Sequence, residues 1–509
     1  MKFGIISPYL DVQSVGVRSL SSSLKRAGHD VKIVFLRGDF LKRYSEKSLN
    51  ELVQILKGTD VIGISLMTNF FDNSVQVTEK IRQNLDSYVI WGGTHPTIRP
   101  EECLGYANAV AIGESEETIV EFAEKMANDQ DFTSVLGMWF KDKDGHIIRN
   151  CSRPLIQNLD SIPYLDYDNE DHYVLSSGTI QPMNNHLLNE YAYSEFMTMP
   201  TRGCPYNCTY CVNNTLNQMG KGQKIVRKRS VNHVIGELTW MRNKMPFFSR
   251  VKFDDDCFFL YKPHELKDFS AKYKSKVGLP LFITGATPET LTREKLAPLV
   301  DANLQMIRMG IQSAAEKTKQ LYKRCHPNDK VVRAAKLINE FKDRITFTQY
   351  DMILDCPWEG DEELIESLLF LTTLPTPYDL RSFSLSFFPG THLYDMAKKD
   401  NIVKDDLTDV YRKHYHRVKK TYLNRLFLLQ QEAAKWTHGI STGTMRLLTS
   451  RTIRRWKLNW ILYTVVRLTI DCRIKFKRFK HLVWQGLKDL RKMDMRRLKK
   501  YLKEKYAAT

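Results

Sequence analysis

"TRGCPYNCTYCVNN" (residues 201–214) holds Cys204, Cys208 and Cys211, three of the nine cysteines of a 509-residue chain. Thiolate is a soft ligand, so three sulfurs this close point to zinc or to an iron–sulfur cluster. A structural zinc site takes four ligands in paired short spacings, and a second Cys or His pair should then follow within a few tens of residues. The next candidates are His233 and Cys257, both lone. Three thiolates on a cubane cluster leave one iron open to a ligand from outside the protein. The absent fourth cysteine then marks a binding position.

The stretch follows a strand-like run and heads an alternating region. Strands near 197–201, 250–254, 281–285, 305–311, 346–354 and 381–388, with helices between them, predict an incomplete (β/α)6 barrel over 196–400. Upstream, "KFGIIS" (2–7), "VKIVFL" (31–36), "DVIGISL" (60–66), "YVIWGG" (88–93) and "AVAIG" (109–113) alternate with amphipathic segments. That pattern predicts an α/β, doubly wound, Rossmann-like domain over 1–135. Residues 136–195 read as a hairpin around Asp144-Gly145 and a linker, "RPLIQNLDSIPYLDYD" (153–168). Residues 401–509 read as a basic helical C-terminal region. The start, "MKFGIISPYL", reads as the first strand of a cytoplasmic domain rather than a secretory signal. An odd cysteine count with one tight cluster does not fit a disulfide framework, so reduced thiols are expected.

Charge separates the tail from the rest. From Tyr411 onward there are 27 Lys and Arg against 5 Asp and Glu, so residues 1–410 hold 49 against 53, and the net charge of +18 belongs to the tail. The run 456–487 mixes Trp, Ile, Val and Leu with Lys and Arg, and its longest uncharged apolar-rich part, Leu458 to Val466, is too short to span a bilayer. Interleaving of this kind fits an interfacial helix on an anionic membrane surface, and with it a lipid-like or otherwise hydrophobic substrate. The same run could follow a nucleic-acid backbone, or be a solvated helix packed on the barrel.

"RGCPYNCTYC", with its Cys-x3-Cys-x2-Cys spacing and an aromatic residue, Tyr210, before the last cysteine, resembles the radical S-adenosylmethionine enzymes. The resemblance implies a [4Fe-4S] cluster on Cys204, Cys208 and Cys211, with S-adenosylmethionine chelating the open iron and cleaved to a 5'-deoxyadenosyl radical. An electron donor of flavodoxin or ferredoxin type is implied as well. "VKFDDDCFF" (251–259) resembles the second strand, which places Asp254 and Asp255 among the cofactor contacts. "IRMGIQSA" (307–314) resembles the Gly-Ile-Glu-Ser segment, with Gln312 where Glu is usual, followed by Ser313. "MILDCPWEGDEEL" (352–364) resembles the Gly-x-Pro-x-Glu turn with Asp355 in the glycine place, and "FFPGTHLYD" (387–395) the Pro-Gly-Thr segment that includes Pro389. Cys257 and Cys356, near strand ends, read as buried, unreactive thiols. Tyr206 and Asn207 read as turn residues.

The first region has no Gly-x-Gly-x-x-Gly after its first strand, which disfavours a dinucleotide. "DVQSVG" (11–16) instead resembles the Asp-x-His-x-x-Gly signature of cobalamin-binding domains, through Asp11, Gln13 and Gly16. "SLMT" (65–68) and "GGTHP" (92–96) resemble its other contact segments, through Ser65, Thr68, Gly92, Gly93 and His95. An amide at 13 is a poor metal ligand, so the lower face of cobalt is expected to lack a histidine. The whole chain to about 400 thus resembles the cobalamin (B12)-binding-domain radical S-adenosylmethionine enzymes of the class B methyltransferase type. Methylation of an unactivated carbon is implied, with a non-methylating rearrangement, cyclisation or oxidation on the same cofactors as the alternative. A zinc-stabilised nucleic-acid binder ranks lower, because it leaves the barrel unexplained. The methylthiotransferases are disfavoured, since the first 150 residues contain only Cys103 where that class supplies three further cluster cysteines.

Overall fold

The computed structural model describes residues 1–142 and 144–491, with the backbone alone at 478 and 481–491. The last part of the basic region, 492–509, lies outside the described residues. Nine strands form the first sheet: β1 (Lys2–Ser7), β2 (Asp30–Phe35), β3 (Val61–Ser65), β4 (Tyr88–Gly92), β5 (Ala109–Ala111), β6 (Met138–Lys141), β7 (Ile147–Arg149), β8 (His172–Ser176) and β9 (Thr179–Pro182). Their order is β7-β6-β5-β4-β3-β1-β2-β8-β9, parallel from β5 to β8 with an antiparallel strand pair or strand at each edge. The five expected strands appear as near-continuous buried runs, as a parallel sheet covered on both faces requires.

β8 and β9 have no counterpart in the sequence reading, which treats the stretch after 168 as connection. Ser177 and Gly178 both have positive φ, 50° and 82°, and make the two-residue turn that joins the strands. The linker proper, 153–168, is irregular apart from one short turn at Leu159–Ser161. Its end is gripped from both sides. The buried Arg18 guanidinium donates to the Asp166 and Val12 carbonyls and stacks 3.7 Å above the Tyr167 ring, which packs on Phe196 of the second domain at 5.1 Å.

The second sheet begins at β10 (Glu195–Thr198); a small antiparallel pair, β11 (Thr201–Arg202) with β12 (Arg227–Lys228), branches off after it. Then come β13 (Arg250–Phe253), β14 (Leu281–Ala286), β15 (Leu304–Gln312), β16 (Phe347–Leu354) and β17 (Asp379–Ser384). All six pair in parallel in chain order, β10-β13-β14-β15-β16-β17, and β10 does not meet β17: an open (β/α)6 barrel. One continuous apolar core runs through both domains, from Val17 and Phe35 to Phe196, Val251 and Ile283.

Past the barrel, residues 411–416 form a strap. Asn69 of the first domain donates to the Tyr411 and Lys413 carbonyls, and Ser384 N–H at the end of β17 donates to the Tyr415 carbonyl at 2.8 Å. Helices Tyr422–Trp436, Thr442–Thr449, Arg451–Arg455 and Asn459–Arg491 follow, the first lying against β17. Among the described residues no helix is long and apolar enough to cross a membrane.

Candidate active site

The cluster loop is shaped by its first residue. Gly203 has φ +84°, and a Cβ there would lie 2.2 Å from the Ile225 carbonyl oxygen on the facing strand connection. Only glycine allows that approach. Downstream the loop closes on itself: Cys211 N–H donates to the Cys208 carbonyl, Asn217 donates to the Cys204 carbonyl, and Cys211 caps the Val212–Met219 helix.

All three cysteines and Tyr210 line one cavity of about 340 Å³ at the carboxyl ends of β13, β14 and β15. The donor set, three thiolates from one short loop, suits a cubane with one iron left open. Arg324, which no motif announced, sits 3.6 Å from Cys208 Sγ and donates to the Gly310 carbonyl, setting a fixed positive charge beside the thiolates. Cys257 is buried against Cys204, and Cys356 against Tyr322.

The other expected contacts divide. Asp254 and Gln312 face the cavity. Gln312 has φ +69° at an irregularity in β15, and its amide lies across Gly310, where a Cβ would come within 2.5 Å of it. Asp255 also touches the cavity, but its carboxylate is occupied: it accepts from Thr201 N–H and hydroxyl and from Cys257 N–H. Burial raises its pKa to about 7 against those bonds. It clamps the start of the cluster loop to β13 rather than presenting itself to a ligand. Ser313 does not face the cavity. It is 2% exposed and bonded on the far side to Ser367 and Glu359, because the turn of φ at Gln312 swings the next side chain outward. Pro389 is buried and does not line the cavity, and Gly390 after it accepts from Thr215 on the cluster helix.

An adjoining chamber of about 280 Å³ shares Tyr210, Arg308, Gln312 and Asp351 and continues to Phe383, Phe388 and the strap residue Tyr415. Arg308 Nε meets both Asp351 oxygens at 2.8 Å, so the wall is polar yet internally neutralised. Asp355, in the family's glycine place, keeps the glycine-like φ of +64°. Its carboxylate accepts from Lys419 N–H at 2.9 Å and Asn424 at 2.7 Å, tying the start of the helix Tyr422–Trp436 to the barrel. A side chain with a tether has replaced conformational freedom.

Across from the cluster loop lies a cavity of about 310 Å³ at the carboxyl ends of β1, β3 and β4. Gly16, Ser65 and Gly93 form its first-domain wall; Thr198, Arg202 and Gly203 form the wall on the barrel side. A narrow apolar slot, with Ser65, Gly92 and Gly93 at its mouth, leads from there into the first domain. Gly93 has φ +96°, and a Cβ would meet the Leu66 carbonyl at 2.9 Å and fill the passage. This glycine-walled entry fits the resemblance to a cobalamin site. Four residues expected there are elsewhere. Gln13 is buried and donates to the Ala192 and Glu195 carbonyls at 2.9 and 3.0 Å, so it staples the first domain to the entry of β10 and does not line the cavity. Asp11 turns inward to accept from the Gln13 and Ser14 N–H groups. Thr68 and His95 bond to each other in the core, at 3.2 Å. His95 is fully buried among Phe71 and Tyr411, and burial, then Arg99, hold its pKa down at about 3. In each case residue type marked the loop, while backbone direction turned the side chain away.

The two domains are also bound by charge. Arg202 reaches from the cluster loop to Glu116 and Glu114, and Arg227 reaches Glu114 at 2.7 Å. Burial pushes Glu116 up, but Arg202, through charge and hydrogen bonding, and Ser19 outweigh it and hold the carboxyl at about 2. A folded pKa below the unfolded value near about 4.5 stabilises the fold fully above that pH, and the stabilisation is lost as pH falls toward about 2. Glu116→Gln is therefore expected to lower stability at neutral pH and to flatten its decline below about pH 4.5. Denaturant unfolding at several pH values checks this; an unchanged pH profile contradicts it.

Residues 1–123 match the B12 binding domain family, and residues 198–371 match the Radical SAM superfamily. An uncharacterised methyltransferase of Pyrococcus horikoshii is 28% identical over 403 residues, 77% of this chain and 80% of that protein. The bacteriochlorophyllide d C-8(2)-methyltransferase of Chlorobaculum tepidum is 21% identical over 367 residues, 68% of this chain and 69% of that one. Among solved structures, the radical S-adenosylmethionine methyltransferase TsrM of Kitasatospora setae, with tryptophan and a SAM analogue bound, superposes with a TM-score of 0.63. That match covers 78% of this chain and 76% of TsrM, and its 15% identity speaks for the fold alone. Matched domains and fold together define an enzyme with a corrinoid-binding half and a radical half. The chain belongs to the cobalamin-binding-domain radical S-adenosylmethionine enzymes, whose cofactors are cobalamin, a [4Fe-4S] cluster and S-adenosylmethionine.

Proposed function

We propose that this radical S-adenosylmethionine methyltransferase homologue methylates an unactivated carbon of a hydrophobic substrate. The observation that carries the reading is the shared wall: Gly203, which opens the cluster loop, also lines the cavity on the first-domain side, so one turn of chain separates the two cofactor spaces. When bound, the cluster with S-adenosylmethionine supplies one-electron chemistry and cobalamin supplies the methyl group. The protein's part is to hold and to enclose. Cys204, Cys208 and Cys211 would ligate the cluster; Tyr210, fixed edge-on against Tyr322 at 5.1 Å, and Gln312 would flank the nucleoside; Asp254 lines the same cavity. Gly16, Ser65, Gly92 and Gly93 would admit cobalamin. Phe383, Leu385 and Phe388 give the second chamber an apolar surface, which supports a hydrophobic substrate, and the C-8(2) specificity in the relative's name supports carbon. The same reading includes a one-electron donor of flavodoxin or ferredoxin type and contact with an anionic membrane through the basic C-terminal region.

Anaerobically reconstituted protein, given S-adenosylmethionine and a low-potential reductant, is expected to form both S-adenosylhomocysteine and 5'-deoxyadenosine. Deoxyadenosine without S-adenosylhomocysteine would remove the methyl-transfer claim and favour a non-methylating radical reaction.

A further inference from the structure

Among its described side chains the helix Asn459–Arg491 carries two apolar faces, and only one of these has a partner. Tyr463 and Ile470 are 7% and 5% exposed, and with Leu462, Val466 and Ile474 they pack against the helices Tyr422–Trp436 and Thr442–Thr449. On the opposite side Ile461, Val465, Leu468, Phe476 and Phe479 are 56–62% exposed, with the exposed Cys472 among them. At 100° per residue these six positions fall within a stripe about 80° wide. Such a continuous apolar seam, presented to solvent over five turns, is not the scatter of single apolar residues that ordinary surfaces show.

We infer that this seam is a membrane-docking face that lies in the interface of an anionic lipid surface. The charges choose the occupant. Arg473, Lys475 and Lys480 flank the seam without an acidic partner among the described residues, and Asp471, the one acid on this part of the helix, is already paired with Arg467. A second copy of the helix would bring these cations against their own kind, whereas anionic headgroups would neutralise them. The helix is amphipathic with a basic rim and is not a spanning segment, so it would lie in the plane of the headgroups with the seam downward. Its root packs on the helices beside β17, whose end forms the second chamber, so docking would hold the barrel mouth close to the lipid phase.

This inference rests on helix geometry and charge and needs no turnover, so its test omits S-adenosylmethionine and is separable from the proposed reaction. Full-length reconstituted protein is mixed with vesicles of phosphatidylcholine alone or of phosphatidylcholine with phosphatidylglycerol, and sedimented. Binding to the mixed vesicles is expected to exceed that to the zwitterionic ones by about tenfold or more and to weaken with salt. Val465→Asp with Leu468→Asp is expected to abolish it while thermal stability and cobalamin retention stay unchanged, because both side chains point away from the core. Lys475→Glu with Lys480→Glu, which leaves the seam intact, is expected to remove the preference for anionic lipid. No vesicle binding, binding indifferent to both variants, or a concentration-dependent dimer lost with the seam would overturn the inference.

Discussion

Replacing any one of Cys204, Cys208 or Cys211 with Ala is expected to reduce 5'-deoxyadenosine formation by about three orders of magnitude or more, as when one member of a catalytic unit is removed. The three sulfurs reach one cavity from one short loop, and among the described residues the further thiol beside them, Cys257, is buried on Cys204 and does not line the cavity. Iron content should fall together with activity. Cobalamin retention should not, because the cavity proposed to hold it is lined from the ends of β1, β3 and β4 and by Thr198, Arg202 and Gly203, and by none of the three cysteines. The expected signature is therefore a brown-to-red change: a protein that keeps its corrinoid absorbance and loses that of the cluster. Wild-type deoxyadenosine yield in Cys208→Ala would remove the cluster assignment outright.

The second large effect is expected at Gly203. Alanine there would have to hold φ +84°, which costs about 1–2 kcal/mol for a residue with a Cβ. It would also press on the Ile225 carbonyl from 2.2 Å, and this oxygen is backbone, unable to swing aside. Either the β11–β12 pair opens or the loop shifts. In both cases the walls of both cofactor spaces move together, so Gly203→Ala is expected to lower iron and cobalamin content at once, along with the melting temperature. A variant with normal content of both cofactors and an unchanged melting temperature would show that the loop has slack that the geometry denies.

Much of this was legible in the sequence because parallel strands buried on both faces read as apolar runs, and all six barrel strands lie within a few residues of where such runs fall. The cluster loop was legible for another reason: ligand spacing within one turn is local chemistry, independent of the fold. What escaped was direction and distance along the chain. Gln13, His95 and Ser313 stand at the expected loop positions, but their side chains turn into the core, where β10, Thr68 and Ser367 meet them. Arg308 with Asp351, and Arg324 with Cys208, join residues dozens of positions apart, and no spacing rule brings such pairs together. The β8–β9 hairpin was missed because its whole signal is the dipeptide Ser177-Gly178.

One chain is expected to hold a cluster and a corrinoid on the two sides of the same loop. Metal analysis of anaerobically reconstituted protein tests it most directly: about four irons and about one cobalt per chain are expected, with cobalt kept in Cys211→Ala and iron kept in Gly93→Val. Zinc in place of iron, or protein that takes up no cobalamin with its cluster intact, would contradict it.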